Sequence, residues 1–243
     1  MKFDIISIFP EFFDGPLSCG VLRIAQEKQA VKIDRYDPRD YTSDGVVDDY
    51  QFGGGAGMVM KPEPLVRTIN ALRTKSSLLI HLTPKGKALN QKLVKELAKK
   101  DHLIIICGRY KGIDERINIM YKPLEISLGD YVLAGGEIGA LVLLESITRL
   151  LPDVLGNRDS AETDSFQNDL LEASIYTRPN VYKKIKVPEV LRSGNHALVA
   201  QWRRKQAIEN TLKRRPDLIA LPTFTKNDFE ILLEVLDDEN SGN

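Results

Sequence analysis

The chain has 243 residues, enough for one large domain or two modest ones, each with its own core. Its 34 basic and 34 acidic side chains cancel, which argues against a general polyanion binder, and its 42% apolar and 28% charged residues are those of an ordinary soluble globular protein. No apolar run approaches the roughly 20 residues of a membrane-spanning helix. The start, Met1-Lys2-Phe3-Asp4-Ile5-Ile6, lacks a signal peptide's layout, so a cytoplasmic protein without a membrane partner is expected.

Phe3 to Phe9 reads as a buried strand closed by Pro10, and Val31 to Tyr36 as a second strand. Asp40 to Lys61 is loop-like around a glycine cluster. Pro62 to Arg73 has proline in the first turn of a helix. Ser77 to Leu82 and Leu103 to Cys107 are continuous apolar runs, as in strands covered on both faces. Between them Leu89, Leu93 and Leu97 form a helical stripe. Ala140 to Leu151 is a further helix. This alternation predicts an α/β domain with a parallel sheet. Asp153 to Thr163 is polar and reads as a linker. Beyond it Asn195 caps a predicted helix ending near Arg215. Asn227 or Asp228 starts a last helix, with Phe229, Leu232, Leu233 and Leu236 as its apolar face and Asp237 to Asn243 frayed. The division expected is 1–155, a linker at 156–170, and a small C-terminal helical domain at 171–243.

Only Cys19 and Cys107 are present, and no Cys/His cluster has metal-ligand spacing, so no metal ligands are assigned. His81, His102 and His196 are isolated from one another and read as structural or surface residues. Charge is uneven along the chain. From Val181 to Asp217 ten basic residues face three acids, a net of +7, and from Leu218 onward one lysine faces six acids, a net of −5. A basic segment in a neutral protein suits a local polyanion contact or a solvated helix face.

Three glycine-rich loops carry the chemistry: Gly53 to Met58, Cys107 to Arg116 after a strand, and Gly129 to Glu137 before a helix. Glycine lets a ligand approach the main chain, and ligands in α/β sheets bind at strand C-termini. None of the loops is a dinucleotide or P-loop fingerprint. Each alone suits a tight turn; three together point to a ligand pocket.

These loops, with Pro38-Arg39-Asp40, Val47-Asp48-Asp49, Asp164-Ser165-Phe166, Tyr176 to Pro179, Val187-Pro188, Leu191 to His196 and Trp202-Arg203, resemble the bacterial tRNA (guanine-N1)-methyltransferases, collinearly from Ile5 to about Pro216. That family belongs to the SPOUT-type methyltransferases. The resemblance implies a deep trefoil knot over about Leu82 to Leu133. It also implies a homodimer with active sites shared between chains, and methyl transfer from S-adenosyl-L-methionine to N1 of the guanine at position 37, 3′ of the tRNA anticodon. Cofactor contacts are implied at Leu82, Thr83, Pro84, Gly108, Tyr110, Gly112, Ile113, Leu128, Gly129, Leu133, Gly135 and Gly136.

Guanine N1 must lose a proton before it attacks the methyl group, and charge then develops at O6, so a base and a cation are needed. The resemblance assigns these roles to Asp164 and Arg149; without it, a capping aspartate and an exposed helix-end arginine are the simpler readings. Asp48 and Ser165 resemble residues that contact the target base, although Asp48-Asp49 equally suits a turn. Arg203, Arg204 and Lys205 lead the basic helix expected to meet tRNA phosphates, beside Trp202, which suits packing. The chain departs from the family at Lys111, where a glutamate that helps to hold Mg²⁺ is expected. Lysine does not ligate the ion and repels it, which puts its requirement in question or shifts ligation to Asp164 and the cofactor carboxylate. A knotted ribose 2′-O-methyltransferase and a non-catalytic tRNA-binding protein are the competing readings.

Overall fold

The computed structural model describes residues 1–155, 164–167, 169–219 and 224–241. They fall into two compact units, Met1–Arg158 and Asp159–Asn243. Of the expected linker, residues 156–163 and 168 lie outside the described residues.

The first unit runs β1 (Lys2–Ile6), α1 (Asp14–Leu17), α2 (Gly20–Glu27), β2 (Lys32–Tyr36), β3 (Asp48–Tyr50), β4 (Met58–Met60), α3 (Pro62–Leu72), β5 (Ser77–Ala88), α4 (Gln91–Leu97), β6 (His102–Ile106), α5 (Glu115–Tyr121), β7 (Leu124–Ser127) and α6 (Glu137–Thr148). Five strands form one sheet in the order β2-β1-β6-β5-β7, with every neighbour parallel, as the alternation predicts.

Every residue of β6 is buried. Leu103 and Ile105 meet Phe3, Ile5 and Ile80 of the neighbouring strands and Leu143 of α6 on one face. Ile104 and Ile106 meet Ile6, Leu79 and the α3 residues Leu65 and Ile69 on the other. Each such side chain contributes about 1.5–3 kcal/mol on burial, so a strand covered on both faces needs the continuous apolar run seen here. Asp4 is the exception inside β1. It is fully buried, accepts from Lys2 Nζ at 2.8 Å, and lies 2.8 Å from His102 Nε2.

Two segments depart from the sequence reading. Asp40 to Lys61 is not all loop, because β3 and β4 pair antiparallel across the glycine cluster, with Asp48 opposite Met60. And β5 does not end at Leu82. It bulges, so that Leu82 and Lys87 both pair with Ile126 of β7, and continues to Ala88. A Cβ on Gly86 would lie 2.4 Å from the Ile126 nitrogen, so only glycine passes there. The bulge throws Thr83, Pro84 and Lys85 out beyond the sheet.

The second unit holds a short hairpin, β8 (Val181–Tyr182) and β9 (Ile185–Lys186), and two helices, α7 (His196–Arg214) and α8 (Lys226–Ser241). Asn195 caps α7 as predicted, its Oδ1 accepting from Ala197 and Leu198 N–H at 3.1 and 3.2 Å. The start of α8 differs from the sequence reading: Thr225 is the cap. Its Oγ1 accepts from Asp228 N–H at 3.2 Å, while Asp228 Oδ2 accepts from Thr225 N–H at 2.9 Å, a reciprocal capping box. Asp228 also accepts from Arg204 Nε at 2.6 Å. This pair fixes the rotation of α8, so its buried face is Asp228, Ile231 and Val235, and the expected Phe229, Leu233 and Leu236 are exposed. Leu232 is partly buried against the small core of Leu170, Ile208, Ile231 and Val235. The tail expected to fray from Asp237 is helical to Ser241, and residues 242 and 243 lie outside the described residues.

The Arg204 guanidinium, then the Thr225 N–H and hydroxyl, hold the Asp228 carboxyl well below the usual carboxylate range. A carboxyl lowered on folding stabilises the protein above its unfolded value, about pH 4, and that contribution is lost as pH falls through the folded value. Asp228→Asn is therefore expected to lower stability at neutral pH and to flatten its decline below about pH 4. Urea melts between neutral and acid pH check this; an unchanged pH profile would remove the Arg204–Asp228 pair from the stability of the second unit.

Candidate active site

The C-terminal ends of β5, β6 and β7 open onto a cleft of about 220 Å³, the place where α/β sheets bind ligands. Its walls are the β5 bulge, the loop after β6 and the loop from β7 to α6. The loop after β6 is strapped to β4: Lys111 N–H donates to Met58 O, Met60 N–H to Gly112 O and Asp114 N–H to Met60 O, each at 3.0 Å. Within it Tyr110 has φ +61°, a left-handed backbone that only surrounding structure holds in a bulky residue.

The two cleft loops are also tied to each other. Gly136 N–H donates to Gly108 O at 3.0 Å, and Arg109 bridges antiparallel to Gly135. Beneath them Glu137, 1% exposed at the start of α6, accepts from Ser7 Oγ at 2.6 Å and pairs with Arg109 at 2.9 Å. The Arg109 guanidinium lies 4.6 Å from the Phe9 ring centre. A buried carboxylate held by a cation and a hydroxyl fixes the loop where it enters the cleft.

All of the residues expected to touch cofactor line this cleft: Leu82, Thr83 and Pro84 from the bulge, Gly108, Tyr110, Gly112 and Ile113 from the second glycine loop, and Leu128, Gly129, Leu133, Gly135 and Gly136 from the third. The first glycine loop is the β3–β4 turn and is not part of the lining; it packs on the second loop, where Gly57 faces the Lys111 side chain. Asp48 lies in β3, and its charge adds to the burial that raises the Tyr110 hydroxyl above its ordinary value. Arg149 is the exposed C-cap of α6. Asp164 and Ser165 belong to the second unit. There the Asp164 carbonyl accepts from Gln167 N–H at 3.3 Å and Ser165 Oγ accepts from Glu172 N–H at 3.0 Å. Arg203, Arg204 and Lys205 lie on α7.

The sequence reading missed His81. Its ring lines the cleft, with Nδ1 3.2 Å from Asn118 Oδ1 and 3.7 Å from Glu125 Oε1. Asn118 Nδ2 donates to Glu115 Oε2 at 3.1 Å. Burial pushes His81 below its ordinary value, so its imidazole is neutral at neutral pH. The one signal was position: a histidine one residue before Leu82-Thr83-Pro84, inside an apolar strand. Lys111, the departure from the family pattern, also lines the cleft.

The sequence profile of the family described as tRNA (Guanine-1)-methyltransferase TrmD matches residues 1–221. The chain belongs to this family. A tRNA (guanine-N(1)-)-methyltransferase of Dictyoglomus turgidum is 48% identical over 237 residues, 97% of this chain and 96% of that protein. A protein of the same name from Carboxydothermus hydrogenoformans is 49% identical over 235 residues, 96% of this chain and 92% of that one. The TrmD family match spans the cleft, the hairpin of Asp48 and helix α7, so the glycine loops and the basic segment are covered by the same likeness. Among the described residues no helix is long and apolar enough to cross a membrane.

Proposed function

We propose that the protein transfers a methyl group from S-adenosyl-L-methionine to N1 of guanine 37 in tRNA, beside the anticodon. The observation that carries this reading is the glycine-lined cleft at the ends of β5, β6 and β7 in a chain of the TrmD family. The cleft suits an adenosyl group. Leu82, Ile113, Leu128 and Leu133 supply apolar walls, and Gly108, Gly129, Gly135 and Gly136 leave the main chain open to polar ring edges. When bound, the cofactor supplies an electrophilic methyl group.

The rest falls to the chain. Asp164 takes the proton from guanine N1, and Arg149 steadies the charge that develops at O6. Asp48 accepts from guanine N–H groups and Ser165 donates nearby. Arg203 positions phosphates, and Arg204 and Lys205 join it by exchanging their carboxylate partners. In this reading the first unit binds the cofactor, the second binds tRNA, and the Leu82–Leu133 segment threads a trefoil knot. Each site draws Asp164 from the partner copy. Exposed apolar residues on the first unit support pairing of copies: Phe9, Phe12 and, four residues apart on α6, Ile138 and Val142. A protein acting on cytoplasmic tRNA sits in the cytoplasm.

A divalent ion at the cleft would need Asp164 and the cofactor carboxylate as ligands. Lys111 brings a cation to the cleft, and among the described residues no three His, Cys, Asp or Glu side chains are grouped to hold a metal.

Incubation with methyl-labelled cofactor and tRNA, followed by mass mapping of the modified nucleotide, is expected to place one methyl group on guanine 37, with tRNA carrying adenine there left unlabelled. Equal labelling of the adenine tRNA would overturn the guanine-N1 assignment, a methyl on ribose would favour the 2′-O reading, and tRNA binding without transfer the non-catalytic one.

A further inference from the structure

We propose that the β8–β9 hairpin is an RNA-contacting element, with Lys183, Lys184 and Lys186 meeting phosphates and Tyr182 meeting a base; this rests on tRNA being the substrate. The sequence places the basic charge of the second unit chiefly on α7, but the structure engages much of that charge internally. Arg204 pairs with Asp228 at 2.6 Å, Lys205 with Glu234 at 3.0 Å, Lys213 with Glu209 at 2.8 Å and Arg215 with Asp217 at 2.8 Å. The acid-rich last helix supplies two of those partners. A phosphate reaching these cations competes with carboxylates already in place.

The hairpin is different. Among the described residues Lys183, Lys184 and Lys186 form no ion pair with a carboxylate, and all three are exposed. Lys183 Nζ lies 5.6 Å from the centre of the Tyr182 ring. Tyr182 is 63% exposed and its cross-strand partner Ile185 is 72% exposed. Lys186 pairs with Val181 across the ladder.

The turn itself is informative. Lys183 and Lys184 occupy both central positions with φ +47° and +70°. A two-residue hairpin with both central residues left-handed prefers Asn-Gly, which adopts that backbone without strain. Stability alone does not select two lysines there. They set two ammonium groups side by side at the tip, next to a solvent-facing aromatic ring. Cations tracking a backbone beside a stacking platform are the arrangement that binds a single-stranded or looped nucleic acid. An acidic protein partner would use the charges but leave the flat ring without a role.

The test is the full-length double variant Lys183→Asn with Lys184→Gly, which relaxes the turn while removing two charges. Its melting temperature is expected to equal or exceed that of the parent protein. Its affinity for a tRNA transcript carrying guanine 37 is expected to fall, and the slope of log affinity against log salt to flatten by about 2. Tyr182→Ala is expected to weaken binding about five- to a hundredfold, with Tyr182→Phe restoring it. A folded double variant with parental affinity and salt slope overturns the proposal, as does weakened binding with an unchanged slope. If the parent protein neither binds nor methylates the transcript, the functional reading has failed instead. If it does both and the variants match it, only the hairpin assignment has.

Discussion

Asp164→Asn is expected to slow single-turnover methyl transfer about 10²- to 10⁴-fold, the usual loss when a positioned base is removed. Affinity for tRNA and for cofactor should change little. Asparagine keeps the size and the hydrogen-bonding oxygen of the side chain but does not accept the N1 proton. A loss confined to the chemical step identifies an interaction made in the transition state, whereas a rise in KM alone would mark a binding residue. Rapid-quench assays with enzyme in excess over tRNA separate the two. A near-parental single-turnover rate would remove Asp164 from proton transfer, and the guanine would then need another base.

Gly136→Ala is expected to have the second large effect, at the other end of the reaction. A Cβ at Gly136 would lie 2.7 Å from the Cys107 Cα and 3.2 Å from the Gly108 nitrogen, so the collision is with main chain rather than with a flexible side-chain tip. The two cleft loops, now joined through Gly136 N–H and Gly108 O, would have to part. Strain of this kind costs about 1–3 kcal/mol. Felt at the cleft mouth, that corresponds to about a ten- to hundredfold loss of S-adenosyl-L-methionine affinity by calorimetry. Parental cofactor affinity in the folded variant would mean that ligand does not sit between these loops.

The sheet was legible because its code is local. Leu103 to Cys107 is apolar without interruption and Ser77 to Leu82 is apolar but for Ser77 and His81, and burial on both faces admits little else. Asn195 was readable for the same reason, since a helix cap acts on the next three residues. The β5 bulge was not, because Pro84 and Gly86 look like strand breakers until β7 is alongside. The face of α8 was misread because an ion pair from α7, 24 residues away, sets its rotation.

Of the candidate site, the glycine loops were visible as composition, and the positions within them followed from the family resemblance. His81 escaped because a single histidine in a strand carries no spacing signal; its place on the cleft depends on Asn118 and Glu125, brought from other elements. For a related reason, a count of lysines and arginines along α7 does not show which of them already face carboxylates.

The strap between β4 and the loop after β6 gives the first unit a mechanical property. Met58 and Met60 hold the main chain of Lys111, Gly112 and Asp114, and Met60 is the rung opposite Asp48. The floor of the cleft and the strand that carries Asp48 therefore shift together or not at all. Were a molecule bound at one end to stiffen this strap, the other end would feel it, and thermodynamic reciprocity would make the gain equal in both directions.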